Sequence, residues 1–127
     1  MKGIRAFSIM ATLGWMLVLA TTSMAGEADV VRVRFEQEKG GTWTFAVTVR
    51  HDDQGWEHYA DRWEVLGPKG KVLGTRILLH PHVGEQPFTR SLSGVEVPED
   101  VTKVLIRARD SVHGFGGKEI LLDLPEK

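Results

Sequence analysis

Short runs in which apolar and polar residues alternate fill the chain from residue 30 to residue 124, and they constrain its fold most strongly. The run at 42–50 shows the pattern well, because Trp43, Phe45 and Val47 alternate with threonine and alanine. A period of two turns one set of side chains toward a core and the other toward solvent, as in a β-strand. Seven such runs predict an all-β fold, and they occupy residues 30–38, 42–50, 59–66, 71–80, 88–97, 102–110 and 118–124.

Glycine, proline and aspartate separate these runs. Gly40 and Gly41 follow the first run, and the sequence Gly-Pro-Lys-Gly at 67–70 predicts a hairpin between the third and fourth runs. Residues 111–117 are rich in glycine and predict a loop. Seven short strands at roughly ten-residue spacing favour a single seven-stranded antiparallel β-sandwich. A small barrel is the alternative architecture.

Two segments resemble the strands of immunoglobulin-like and fibronectin type III domains. Residues 89–110 look like the E and F strands of those domains, and residues 63–70 resemble their C to C′ hairpin. The resemblance implies an immunoglobulin-like β-sandwich, but the paired cysteines of antibody domains are absent. It implies little about activity, because one fold of this kind hosts many unrelated functions.

The N-terminal segment has the three-part layout of a secretory signal peptide. Lys2 and Arg5 form a basic start, residues 6–20 are almost entirely apolar, and small residues precede a cleavage site after Ala25. The apolar run is shorter than the roughly 20 residues that span a bilayer, so we expect a cleaved signal at 1–25 rather than an uncleaved anchor. The remaining chain is then one domain, residues 26–127, that is periplasmic or secreted.

Composition narrows the classes of function. The chain has no cysteine, so disulfides, thiolate metal sites and a cysteine-linked lipid anchor are not expected. Loss of the two cations of the signal peptide changes the formal net charge from −1 to about −3. Nucleic acid and anionic membranes require a basic surface, so we expect neither as a partner. We expect a monomer or weak dimer whose partner, where there is one, is a protein of the periplasm.

All five histidines fall in predicted loops or at the ends of predicted strands. His51 and His58 bracket the loop after the second run, His80 and His82 close the fourth, and His113 follows the sixth. Loops after even-numbered strands of an up-and-down sandwich emerge at the same end. We therefore predict that the five histidines line one rim.

His80 and His82 form an H-x-H element. Side chains two residues apart in an extended chain point the same way, with Cα atoms about 6.5 Å apart, so these two imidazoles can bind one metal ion. His51, His113 and His58 are the further candidate ligands. Because the donors are nitrogen and oxygen alone, the expected ions are zinc, copper(II) or nickel.

Asp61, Asp110 and Arg90 are candidates to support such a site. Asp110 shares the inward parity of Ile106, and Asp61 that of Trp63, so either carboxylate can orient a histidine or bind the metal itself. Arg90 can pair with Asp61 or Asp110 and hold the rim closed.

Trp56 lies in the loop between the second and third runs. Its ring can stack on a ligand at the mouth of the site, or it can pin the loop to the sandwich edge.

These patterns predict a small periplasmic binding module that holds a divalent ion, zinc or copper(II), at its histidine rim. The alternative is a protein-interaction module in which the same rim docks a partner without metal. A third class, a metal-dependent enzyme, requires an open coordination position and a substrate pocket. We expect no enzyme and no catalytic residues, because no nucleophile motif such as G-x-S-x-G occurs.

Overall fold

The computed structural model describes residues 26–125, and the predicted signal peptide lies outside them. Within this part of the chain the fold is all-β and antiparallel, as predicted. The strands are β1 (Asp29–Gln37), β2 (Trp43–Arg50), β3 (Ala60–Leu66), β4 (Val72–Ile77), β5 (Phe88–Val95), β6 (Lys103–Asp110), β7 (Gly114–Phe115) and β8 (Ile120–Asp123).

The described residues form eight strands rather than the seven predicted. The additional strand is β7, which lies in the glycine-rich segment predicted as a loop and pairs with the end of β6. β7 has two residues, so it is too short to show an alternating pattern. Gly114 begins it with a positive φ of 78°, a conformation that glycine adopts without strain.

The strands form two sheets. One has the order β1-β2-β5, and the other has the order β4-β3-β6, with β7 and β8 pairing along different parts of β6. The hairpin predicted at the Gly-Pro-Lys-Gly sequence is confirmed, since β3 and β4 pair there antiparallel. None of the helices found in residues 26–125 has the length and apolar character of a membrane span.

The core lies between the two sheets and consists mainly of inward side chains of β2, β3 and β6. Its largest fully buried apolar members are Trp43, Trp63, Phe45, Ile106, Val47, Val49, Val65 and Val104. Burial of each such side chain stabilises the fold by roughly 1.5–3 kcal/mol. The alternation continues to the ends of two strands, so His51 after β2 and Asp110 at the end of β6 also face inward, with 2% and 0% exposure.

Candidate metal centre

Three loops meet at one end of the sandwich, namely residues 51–59, 78–87 and 111–113. The backbone N–H of Ser111 donates to the carbonyl oxygen of Tyr59 at 2.9 Å. The backbone N–H of His82 donates to Oδ2 of Asp53 at 2.8 Å. These bonds tie the first loop to each of the other two, so the structure brings the histidine-bearing loops to one rim.

Asp110 is the centre of the largest group of ionisable side chains at this rim. Its Oδ2 lies 2.6 Å from His58 Nε2, 2.9 Å from His113 Nδ1 and 3.3 Å from His51 Nε2. Its Oδ1 accepts the backbone N–H of His113 at 2.8 Å. Burial works to raise the pKa of Asp110, but the hydrogen bonds from His113 and His58 outweigh it and hold the pKa below its usual value. Asp110 is therefore a buried, ionised carboxylate.

His51 is held by both of its ring nitrogens. Nδ1 lies 2.6 Å from Oδ1 of Asp53, and Nε2 lies 2.9 Å from the carbonyl oxygen of Gly26. Both partners are acceptors, so both nitrogens carry protons and the ring is an imidazolium. Burial works to lower the pKa of His51, but the hydrogen bond and charge of Asp53, together with the charge of Asp110, outweigh it and raise the pKa.

Asp53 is a residue of the site that the sequence interpretation missed. Besides its bond to His51, it accepts the backbone N–H groups of Ala60 at 3.0 Å and His82 at 2.8 Å. Burial works to raise its pKa, but the His51 bond and the two backbone bonds outweigh it and lower the pKa. The H-x-D spacing at 51–53 is the signal that indicates such a pair, because side chains two residues apart in extended chain point the same way.

His51, His58 and Asp110 have the composition and the proximity of a metal site. One ligand atom from each lies within 4.8 Å of the other two, and within residues 26–125 no other set of three or more such side chains meets this criterion. His51 and Asp110 are buried, and the His58 side chain is 12% exposed. Nδ1 of His51 bonds to Asp53 while Nε2 is the nitrogen on the Asp110 side, and a carboxylate on the second ring nitrogen is typical of metal-ligating histidines.

His113 lies beside this group rather than within it. Its imidazole and its backbone N–H both bond to Asp110, and its ring centre lies 5.0 Å from that of His58. The His113 side chain is 38% exposed, so it forms the solvent side of the cluster. The contacts indicate that His113 orients the Asp110 carboxylate.

The H-x-H element lies outside the group of three. The His82 ring stacks on Phe88 with centres 4.0 Å apart, and its Nε2 accepts a hydrogen bond from Arg90 at 2.9 Å. Burial, and then the charge of Arg90, lower the pKa of His82, so its imidazole is neutral. His80 is exposed, and its ring centre lies 4.7 Å from that of His82.

The structure places two of the predicted supporting residues differently. A β-bulge between Ala60 and Arg62 shifts the alternation of β3, so Ala60 faces the core while Asp61 pairs with Arg109 at 2.5 Å. Arg90 bonds to His82 and pairs with neither Asp61 nor Asp110. The inward position of Asp61 was predicted from strict alternation, which the bulge breaks.

Trp56 stands at the outer edge of the rim. It is 66% exposed, and its ring meets that of Tyr59 edge-to-face with centres 5.6 Å apart. The indole is therefore not pinned beneath the loop, and most of its surface is open to solvent. Its predicted role in stacking on a ligand stays a prediction.

The chain is similar to a protein of Halomicrobium mukohataei that is named "Putative lipoprotein". The two sequences are 45% identical over 97 residues, which are 76% of this chain and 47% of that protein. The chain thus spans about half the length of the curated relative that it matches. No family model matches the chain, and no solved structure does.

Proposed function

We propose that this protein is a small exported binding module that holds one divalent metal ion, zinc or copper(II), at His51, His58 and Asp110. The observation that carries the proposal is the convergence of these three side chains, whose ligand atoms lie within 4.8 Å of one another. Export is supported by the predicted signal peptide and by the similarity to a protein named as a lipoprotein.

The donor set suits these ions. Two imidazole nitrogens and one carboxylate oxygen are ligands that zinc and copper(II) both accept. Ligand atoms about 2.0 Å from a tetrahedral zinc ion stand about 3.3 Å apart, so small side-chain movements bring the three donors to binding distance. His51 exchanges the proton on Nε2 for the metal, while Asp53 keeps the proton on Nδ1 and so fixes the ring.

Calorimetric titration of the purified mature chain with zinc tests the proposal. We expect one ion per chain, and we expect binding to be lost when His51→Ala and His58→Ala are combined. The matched control combines His80→Ala with His82→Ala, which removes the same number of imidazoles from the same rim. If only the control pair abolishes binding, the metal lies at the H-x-H element and the assignment fails.

A second candidate is the protein-interaction module. It is favoured by four apolar side chains at or beside the rim loops that are mostly exposed, namely Trp56, Leu79, Val83 and Val112. Single apolar residues are common on surfaces, but several on adjoining loops are typical of a docking site. Photo-crosslinking from position 112 should then capture one envelope protein, whereas position 121, on β8 and equally apolar and exposed, should not. Equal capture at both positions contradicts this candidate.

A further inference from the structure

Gly26 reaches the candidate metal centre with its backbone. Its carbonyl oxygen lies 2.9 Å from Nε2 of His51, the nitrogen that faces Asp110 Oδ2 at 3.3 Å. The nitrogen and the carbonyl oxygen of one residue are at most about 3.6 Å apart, so the Gly26 nitrogen also lies close to this site. Gly26 is also the residue that follows the predicted cleavage position.

The residues that directly follow Gly26 and Glu27 are packed against the fold. Ala28 is 0% exposed, and the N–H of Val30 donates to the carbonyl oxygen of Lys118 at 2.9 Å. A Cβ atom on Gly117 would stand 2.0 Å from the Ala28 carbonyl oxygen, so the backbones can approach this closely only because residue 117 is glycine. These contacts fix the start of the mature chain beside His51.

We propose that cleavage between Ala25 and Gly26 completes the metal centre, because the freed α-amino group of Gly26 becomes its fourth ligand. The inference rests on the proposed metal site and on the predicted cleavage position. Within residues 26–125, His51, His58 and Asp110 form a set of three ligands, whereas zinc in structural sites takes four. The carbonyl oxygen of Gly26 lies 2.9 Å from Nε2 of His51, and the amine belongs to the same residue.

The chemistry of the Gly26 nitrogen changes on cleavage. In the precursor it is an amide nitrogen, whose lone pair is delocalised into the carbonyl group and which does not bind zinc. In the mature chain it is a primary amine with an ordinary pKa of about 7.7–8.0, and it ligates after losing one proton to solvent. The amine and its own carbonyl oxygen can then close a five-membered chelate ring on the ion. Tight binding is thereby confined to the processed protein.

Three proteins compared by zinc titration test the inference. The first begins at Gly26, and the second retains Ala25 as its first residue, which moves the free amine outward by about 3.8 Å. The third begins at Gly26 and carries Gly40→Ala, a change in the turn between β1 and β2 whose Cβ meets no atom within 4 Å. We expect the Kd of the second protein for zinc to be larger than that of the first by about tenfold or more. The Kd of the third should equal that of the first.

A spectroscopic measurement identifies the ligand directly. Copper(II)-loaded mature protein labelled with nitrogen-15 at residue 26 should show coupling between the copper and that nucleus in electron paramagnetic resonance. Equal Kd values for the first and second proteins, or no nitrogen-15 coupling, overturn the inference while the proposed metal site stands. If none of the three proteins binds zinc, both proposals fail. Equal melting temperatures without metal would show that all three fold alike.

Discussion

Replacement of Asp110 by asparagine should remove the metal response of this protein. Asp110→Asn keeps the shape of the side chain but exchanges an anionic ligand for a neutral amide. The carboxylate is fully buried, and it accepts bonds from the imidazoles of His58 and His113 at 2.6 and 2.9 Å. One oxygen of asparagine can still accept the backbone N–H of His113, so the loss falls on the two imidazole bonds.

The structure sets the magnitude of two separate effects. Two charge-assisted hydrogen bonds of about 1.5 kcal/mol each give a loss near 3 kcal/mol in the metal-free protein. At about 4–8 °C per kcal/mol for a domain of this size, the melting temperature should fall by roughly 12–24 °C. Zinc at about 100 times its Kd stabilises the wild-type protein by about 2.7 kcal/mol, and this gain should disappear in the variant.

Thermal unfolding with and without zinc, followed by circular dichroism, separates the two effects. Asp61→Asn is the matched control, because Asp61 lies on the neighbouring strand β3 and pairs with Arg109 rather than with a histidine. The control should keep the full zinc-induced shift in melting temperature. A zinc-induced shift that persists undiminished in Asp110→Asn would refute the assignment of this carboxylate as a ligand.

Three further predictions follow from the same geometry. The pKa values of Asp53 and Asp110 are lowered, so the stability that they contribute is complete above their ordinary value of about 3.8. That stability is lost as the pH falls through the folded pKa values. The melting temperature, measured at a series of acidic pH values, should therefore decrease less in Asp53→Asn than in the wild-type protein. The pKa of His51 is raised, so its stabilising contribution is present below its ordinary value of 6.5 and is lost as the pH rises through the folded pKa. Because zinc displaces the Nε2 proton, zinc affinity measured by calorimetry should rise over that same interval, and a flat profile would count against His51 as a ligand. Gly117→Ala should destabilise the fold by about 1–3 kcal/mol in denaturant titration, because the added Cβ would meet the Ala28 backbone. Gly40→Ala is the control, since its Cβ has open space around it, and it should change the stability by less than about 0.5 kcal/mol.

The alternation of apolar and polar residues was enough to predict the buried faces of the strands and the rim on which the histidine loops lie. Apolar residues at every second position of β2 predicted which face is buried, and the parity of β6 likewise predicted that Asp110 points inward. Counting strands predicted that the histidine loops share a rim, and β7 does not disturb that count because it follows the last of these loops. The face on which a side chain lies and the end at which a loop emerges depend on the backbone, and a period of two in the sequence is enough to predict them.

The identity of the ligands required three-dimensional contacts. His80 and His82 are adjacent in the sequence, yet His82 is engaged by Phe88 and Arg90 of the next strand. Asp61 does not lie on the inward face, because a β-bulge shifts the register at this position of β3. The residue pattern of β3 does not predict this bulge. Which partner a side chain meets depends on rotamers and on residues distant in the sequence, and alternation contains neither.

Zinc-edge anomalous scattering from crystals of the zinc-loaded mature protein tests the central claim most directly. We expect one anomalous peak per chain, at about 2.0–2.2 Å from Nε2 of His51, a ring nitrogen of His58 and a carboxylate oxygen of Asp110. A peak between His80 and His82, or a fully loaded crystal without a peak at the three predicted ligands, would contradict the account.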